Sequence, residues 1–209
     1  MAVQRQIRSV TKEQFNLAGW LSIARAALTI PALILSFVLG FIQGVTGRVI
    51  VIGVGTKIIL AALGIIGLGI YIYIYSSLRQ LLNNRFSFHD IDTYITAFIW
   101  VGVVGFVFNI LASISEQLGI VVIVISFFAI IPLGIISIVF AAKLLRLPDD
   151  LFGLLKPFSY TIIASGVCYT SIILIPLGII AEAVAGVILG MIFFRAAAEK
   201  SQPNLFGPF

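Results

Sequence analysis

The sequence predicts an all-α, polytopic membrane protein: a bundle of six transmembrane helices arranged as three hairpins. Hydrophobic residues make up 61% of the 209-residue chain and charged residues only 10%, whereas about a quarter of an ordinary soluble domain is charged. The mean hydropathy is +1.19. The apolar residues fall in long runs, and lysine and arginine are concentrated in alternate connections between those runs.

The first four spans follow from the apolar runs, and the spacing of Thr11 and Gln14 predicts a capping box where the first helix begins. Pro31 interrupts the first run, which neighbouring helices can accommodate in a membrane bundle. The run that begins at Leu151 predicts a short helix on the membrane surface within the connection 143–157. The four predicted spans are 18–43, 49–78, 93–113 and 119–142.

The segment 158–195 predicts the last hairpin. At about 1.5 Å per residue, one helix of this length would far exceed a hydrocarbon core of about 30 Å, so the chain must turn within it. Pro176 and Gly178 mark the predicted turn. The final two spans therefore lie on either side of this pair.

The distribution of basic residues predicts the topology. Ten lysines and arginines fall in the N-terminal arm, the second and fourth connections and the C-terminal segment, against one in the remaining connections. The positive-inside rule then places both termini in the cytoplasm and requires six spans. The predicted divisions are a cytoplasmic arm 1–17, a transmembrane domain 18–197 and a cytoplasmic tail 198–209. The expected location is a bacterial inner membrane or an organelle membrane of the thylakoid type.

The net charge of +5 comes from these cytoplasmic residues, so it predicts contact with anionic lipid on the cytoplasmic side rather than with nucleic acid. The bilayer is thus the expected partner. A further membrane protein, or a second copy of this chain, is the other possible partner.

Three charged residues and one amide lie well inside the predicted spans: Arg25, Lys57, Asn109 and Glu182. An intramembrane charge is costly unless it is paired or hydrated, so each is a candidate functional residue. Depth counted from the span ends places Lys57, Asn109 and Glu182 together in the outer half and Arg25 in the inner half. The prediction is a Lys57–Asn109–Glu182 cluster, acting as an ion pair that fixes helix register or as a path for an ion or proton. In a third interpretation Lys57 extends outward to the interface, as Arg25 is expected to do at the cytoplasmic side.

Small residues predict a helix-packing face. Glu182, Gly186 and Gly190 recur at i, i+4 and i+8, which places them on one side of the last helix, and Gly105 lies one turn from Asn109. The predicted interfacial anchors are Trp20, Arg25, Tyr71, Tyr73 and Tyr75.

Enzymatic chemistry is not predicted, and no catalytic, cofactor-binding or metal-binding residue is assigned. Neither histidine nor aspartate occurs in the predicted spans, and His89 has only Asp90 and Asp92 beside it in its loop. Cys168 is expected to be a packing residue. The run from Gly53 to Lys57 lacks the order of a phosphate-binding loop.

These features favour a non-enzymatic accessory or assembly subunit that acts through helix–helix contacts. The alternative is a small-solute or ion permease that uses the intramembrane polar cluster. A continuous cavity at Glu182 would favour the permease, and a packed bundle with an exposed small-residue groove would favour the accessory subunit. The hexapeptide Leu17-Ala18-Gly19-Trp20-Leu21-Ser22 resembles the first span of a cyanobacterial and chloroplast-envelope permease family, a resemblance confined to these six residues.

Overall fold

The computed structural model describes residues 11–46, 54–114, 116–148, 150–171 and 173–199. Within these ranges the chain forms helices and short connections and contains no strand, which confirms the all-helical prediction. The predicted tail beyond Glu199 and the first ten residues of the predicted arm lie outside the described residues. The helices are α1 Lys12–Thr46, α2 Val54–Phe86, α3 Asp92–Ile114, α4 Glu116–Leu144, the 3-10 segment Leu151–Gly153, α5 Leu155–Thr170 and α6 Ile175–Glu199.

Five of these helices are long and apolar enough to cross a membrane: α1, α2, α3, α4 and α6. α5 has 16 residues, so it extends about 24 Å, less than a hydrocarbon core of about 30 Å. The described part of the chain is therefore a helical membrane bundle with five helices of spanning length and one shorter helix.

The turn between α5 and α6 lies earlier than Pro176 and Gly178 predicted. α5 ends at Thr170 with Ser171 as its C-cap, and both marker residues lie inside α6. Pro176 is in the first turn of α6, where the missing N–H has no helical acceptor to lose. Gly178 instead provides room for a neighbour, since a Cβ there would lie 2.9 Å from the Tyr169 ring.

The six helices form a closed ring in chain order. Each helix packs against the next, and α1 closes the ring by contacting both α2 and, most extensively, α6. α1 and α6 run antiparallel, because Ile23 faces Gly190 and Ala26 faces Gly186. This ring leaves a space at its centre, into which all six helices can direct side chains.

The buried core lies at one end of the ring, which we term the basic end because Arg79, Arg85, Lys143 and Arg195 lie there. Here α1, α3 and α5 begin and α2, α4 and α6 end. Toward the opposite, far end the helices present apolar side chains outward; Phe37 is 73% exposed and Ile58 65%. The fully buried large apolar side chains are Phe15, Ile74, Leu78, Leu82, Ile91, Ile95, Phe140, Leu144, Leu151, Ile192 and Phe193.

The start of α1, which lies within the predicted arm 1–17, packs against the rest of the bundle. Phe15 is buried and stacks on Phe193 of α6, with ring centroids 6.1 Å apart. The predicted capping box is present, since the Thr11 N–H donates to Gln14 Oε1 at 3.2 Å and the Gln14 N–H to Thr11 Oγ1 at 3.4 Å. α1 therefore begins at the predicted capping box, and its mostly polar first turn packs into the bundle through Phe15.

The segment Leu151–Gly153 packs onto the core, whereas the sequence predicted a helix on the membrane surface. Its φ angles are all positive, at 43° for Leu151, 63° for Phe152 and 80° for Gly153. The left-handed turn directs Leu151 into the bundle, where it is buried. The Arg195 guanidinium donates to the Phe152 carbonyl, and the Arg85 guanidinium lies 4.3 Å from the Phe152 ring centroid. These contacts connect the segment to α2 and α6 at the basic end.

Candidate functional site

A cavity of about 110 Å³ lies at the centre of the ring and is lined by residues from all six helices. Toward the basic end its walls are apolar, with Leu78, Phe98, Phe140, Phe158 and Leu189. Its polar lining residues are Ser22, Arg25, Thr29, Tyr71, Tyr75, Ser137, Ser165, Tyr169 and Glu182. Among these lining residues, Arg25 and Glu182 carry charge.

An ion pair between α1 and α6 forms the centre of this polar group. Arg25 Nη2 donates to Glu182 Oε1 at 3.0 Å, and the Tyr169 hydroxyl donates to Glu182 Oε2 at 2.6 Å. The Arg25 and Glu182 side chains are 38% and 44% exposed, so they are paired but still open to the cavity. The carboxylate thereby links three helices, α1, α5 and α6.

Aromatic rings hold the guanidinium from the opposite side. The Arg25 Cζ lies 4.8 Å from the Tyr71 ring centroid, within the range of a cation–π interaction. The Tyr71 hydroxyl donates to the Phe98 carbonyl at 2.9 Å, which connects α2 to α3. Tyr75 packs against Tyr71, with ring centroids 4.6 Å apart. Arg25 is thus oriented by contacts from two sides of the ring.

The helical period explains why these residues face one space. On α1, Ser22, Arg25, Ala26 and Thr29 line the cavity at i, i+3, i+4 and i+7, which is one face of an α-helix. On α6, Glu182, Ala185, Gly186 and Leu189 repeat the same spacing. The Ser22 hydroxyl donates to the Gly186 carbonyl at 2.8 Å, so the two faces are joined directly.

The expectation that Arg25 and Glu182 lie at different depths is wrong. Counting residues from the predicted span ends gives different depths only if the turn before α6 lies at the outer membrane boundary. Instead α6 begins at Ile175, only about 10 Å before Glu182, whereas α1 continues for about 30 Å beyond Arg25 to Thr46. The α5–α6 hairpin is therefore short and ends well before the far end of α1. In the antiparallel register, Glu182 lies level with Arg25.

Lys57 and Asn109 are not brought to Glu182. Lys57 is exposed and precedes the cavity residue Tyr71 by about 21 Å along α2, and Asn109 is exposed and follows Phe98 by about 16 Å along α3. The predicted Lys57–Asn109–Glu182 cluster is replaced by Arg25, Glu182 and Tyr169. Hydropathy could not identify Tyr169, because a tyrosine within a span is ambiguous between interior and interface.

The small-residue face on α6 packs against α1. A Cβ at Gly190 would lie 2.6 Å from Ile23 Cγ1, and a Cβ at Gly186 would lie 3.2 Å from Ala26 Cβ. Gly105 differs, since a Cβ there would meet nothing within 4 Å in the described part of the chain.

The predicted interfacial anchors divide into two groups. Trp20 is 66% exposed and contacts the Phe194 ring edge to face, with centroids 5.4 Å apart. The Tyr73 hydroxyl donates to the Gln14 carbonyl at the basic end. Tyr71 and Tyr75 line the cavity, so they do not form an interfacial belt. Arg25 likewise is an interior residue, because Glu182 and Tyr71 together compensate its charge there.

A second polar group lies at the basic end, where α2 meets α3. Asp92 accepts from Arg79 Nη2 at 3.2 Å and from Asn83 Nδ2 at 3.0 Å, and His89 Nδ1 lies 3.2 Å from Asp92 Oδ2. These contacts hold the α2–α3 connection closed beneath the core.

The fold and the cavity define the class: a helical membrane protein whose interior carries an ion pair open to a central cavity. Comparisons with known protein families, curated proteins and solved structures found no match for this chain.

Proposed function

We propose that the protein is a small-solute carrier, which binds its solute in the central cavity and passes it across the membrane without covalent chemistry. The observation that carries the proposal is the Arg25–Glu182 pair at a cavity lined by all six helices. A charge within a membrane bundle is costly, and such residues mark substrate or ion pathways. Binding sites near the centre of a bundle, formed by several helices, are typical of secondary transporters.

The position of the cavity within the ring supports this proposal. On the basic side it is closed by the core, including Leu82, Ile95 and Phe193, each 0% exposed. On the far side the short α5–α6 hairpin ends early, and the longer helices continue past it. The solute would therefore enter from the far side, and release at the basic end would require the core there to open.

The same packing makes an accessory role less well supported. That interpretation calls for an exposed small-residue groove, and the small-residue face of Gly186 and Gly190 is covered by α1. Open glycine-bearing faces remain at Gly67 and Gly105, where partner helices could pack. An accessory subunit would function through such faces and would not need a central cavity with a charged lining.

We further propose that all six helices are embedded in the membrane and that both termini are cytoplasmic, with the basic end facing anionic lipid. The ten-to-one distribution of lysine and arginine supports this orientation. Reporter fusions after Phe209 and within 114–118 are expected to report opposite sides, the first of them cytoplasmic. A C-terminus on the periplasmic or lumenal side would exclude this topology.

Cysteine labelling tests whether the cavity is accessible. In a Cys168→Ser background, Ser137→Cys places a thiol on the cavity wall, and Ser159→Cys places one at a buried position outside that wall. A small, charged methanethiosulfonate reagent should modify the cysteine at 137 from the far side of proteoliposomes and leave the cysteine at 159 unmodified. For a carrier, slower modification at 137 from the basic side is also expected.

The matched position at 159 controls for reagent that reaches any buried thiol through local unfolding. If the thiols at 137 and 159 react equally slowly, the bundle is dry and the carrier proposal fails. Partner binding through the open faces at Gly67 and Gly105 would then be the better interpretation.

A further inference from the structure

The charges in the cavity are balanced. Among the described residues that line it, Arg25 and Glu182 are the charged ones; α2 and α5 contribute neutral tyrosines, and α3 and α4 contribute apolar residues and Ser137. A solute with a net charge would leave one uncompensated charge within a medium of low dielectric, at a high cost in free energy. A solute without net charge would preserve the balance.

We infer that the solute is a small zwitterion, carrying an ammonium and a carboxylate on the same carbon together with a short apolar side chain. This inference rests on the proposed carrier function. Such a molecule can insert into the Arg25–Glu182 pair, with its carboxylate on the guanidinium and its ammonium on Glu182. Each protein charge then exchanges one opposite charge for another, and neither is left unpaired.

The hydrogen bonds show which atoms are exchanged. Tyr169 donates to Glu182 Oε2 and Arg25 donates to Oε1, so Oε1 is the oxygen that the incoming ammonium takes over. The guanidinium has five N–H donors in a planar fork, a geometry that binds a carboxylate through two parallel hydrogen bonds. The Arg25 Cζ lies 4.8 Å from the Tyr71 ring centroid, so an aromatic ring packs beside the guanidinium that would bind the solute carboxylate.

The cavity volume limits the side chain. An apolar cavity of about 150 Å³ in another protein binds benzene, so a cavity of about 110 Å³ accommodates an apolar group smaller than benzene beside the charged ends of the solute. Ile74, Phe98, Phe140 and Ile162 provide an apolar wall beside the ion pair. A branched side chain of three carbons fits this description, which makes valine a suitable probe.

Calorimetric titration of the purified protein with three matched probes tests the inference. Valine carries both charges, 3-methylbutanoate has the same skeleton without the ammonium, and isobutylamine has it without the carboxylate. Valine is expected to bind roughly tenfold or more tightly than either analogue, because each analogue leaves one buried charge without its partner. Equal or tighter binding of an analogue would overturn the zwitterion inference and leave the carrier proposal intact.

Two charge-neutralising variants make the test specific to the pair. Glu182→Gln leaves a cationic site, so the preference for valine over 3-methylbutanoate should fall by roughly tenfold or reverse. Arg25→Gln leaves an anionic site, so the preference for valine over isobutylamine should fall by roughly tenfold or reverse. Lys57→Gln removes a charge outside the cavity and should leave both preferences unchanged. These ratios are measured on folded protein, so they do not depend on how stable each variant is.

The failures of the two proposals are distinguishable. If the cysteine at 137 is labelled and none of the three probes binds, the cavity is accessible and the zwitterion inference is wrong. If valine binds and its preference is unchanged in both the Arg25 and Glu182 variants, the ion pair is not the binding site and the inference is also wrong. Only an unreactive cysteine at 137 removes the carrier function itself.

Discussion

Glu182→Leu is expected to destabilise the folded bundle by about 2 kcal/mol, because it leaves the Arg25 guanidinium in the interior without its counter-charge. This value lies between those of exposed and of buried ion pairs, because the two side chains are 38% and 44% exposed. Arg25→Met should have a similar effect by leaving the carboxylate unpaired. The free energy of unfolding in mild detergent, from denaturant titration or thermal unfolding, is the measurement.

The double variant Arg25→Met/Glu182→Leu is expected to be much more stable than the sum of the single losses predicts. Removing both charges also removes the cost of burying them, and two apolar side chains fit a wall that is already largely apolar. The folded double variant should no longer bind a solute, because the groups that would orient it are gone. The double variant would thus be stable and yet unable to bind the solute.

Lys57 provides the matched control for this cycle. Lys57→Met combined with Glu182→Leu should give additive losses, because about 21 Å of helix separates Lys57 from the cavity residue Tyr71. The opposite result would be strong coupling between Lys57 and Glu182 and additive losses for Arg25 and Glu182. It would show that α1 does not pack on α6 in the register that places Glu182 level with Arg25.

The helices themselves were predictable from the sequence because their signals are local. The third predicted span, 93–113, differs by one residue at each end from α3, Asp92–Ile114, and the capping box at Thr11 is present. A membrane span is recognised by the length of an apolar run, and a capping box by residues three positions apart. Both signals lie within a single segment of the sequence.

The partner of Glu182 was not predictable by counting depth, because it depends on where a hairpin ends relative to other helices. Pro176 suggested a turn at the membrane boundary, whereas the turn follows Ser171 and the hairpin stops early. The pattern that identifies the pair was nevertheless present in the sequence. Ser22, Arg25 and Thr29 lie on one helical face and Glu182 on another with Gly186, and both faces line the same cavity.

Close packing at one helix crossing gives the second large expected effect. α4 and α5 cross at Gly134 and Gly166, where a Cβ added to Gly134 would lie 2.7 Å from the Gly166 carbonyl oxygen. A Cβ on Gly166 would lie 2.7 Å from the Gly134 carbonyl oxygen and from Ile138 Cγ1. The obstacle at both positions includes backbone, which cannot move aside as a flexible side chain can.

Gly134→Ala is therefore expected to destabilise the bundle by about 2 kcal/mol, because α4 and α5 must separate to admit the methyl group. This loss is net of the gain of up to about 1 kcal/mol that alanine brings to a helix interior. Gly69→Ala is the matched control on α2, since a Cβ there meets nothing within 4 Å among the described residues, and it should be neutral or stabilising. Thermal unfolding in detergent should thus give a lower midpoint for Gly134→Ala and an unchanged or higher midpoint for Gly69→Ala.

The double variant Gly134→Ala/Gly166→Ala should lose less than the sum of the two single losses, because the first methyl group already separates the helices that the second would push apart. Solute binding should weaken in parallel, since α4 and α5 carry the cavity residues Ser137 and Ile162. A Gly134→Ala variant as stable as Gly69→Ala would mean that α4 and α5 do not touch through their backbones. The cavity volume would then have to exceed about 110 Å³, because α4 and α5 would lie farther apart.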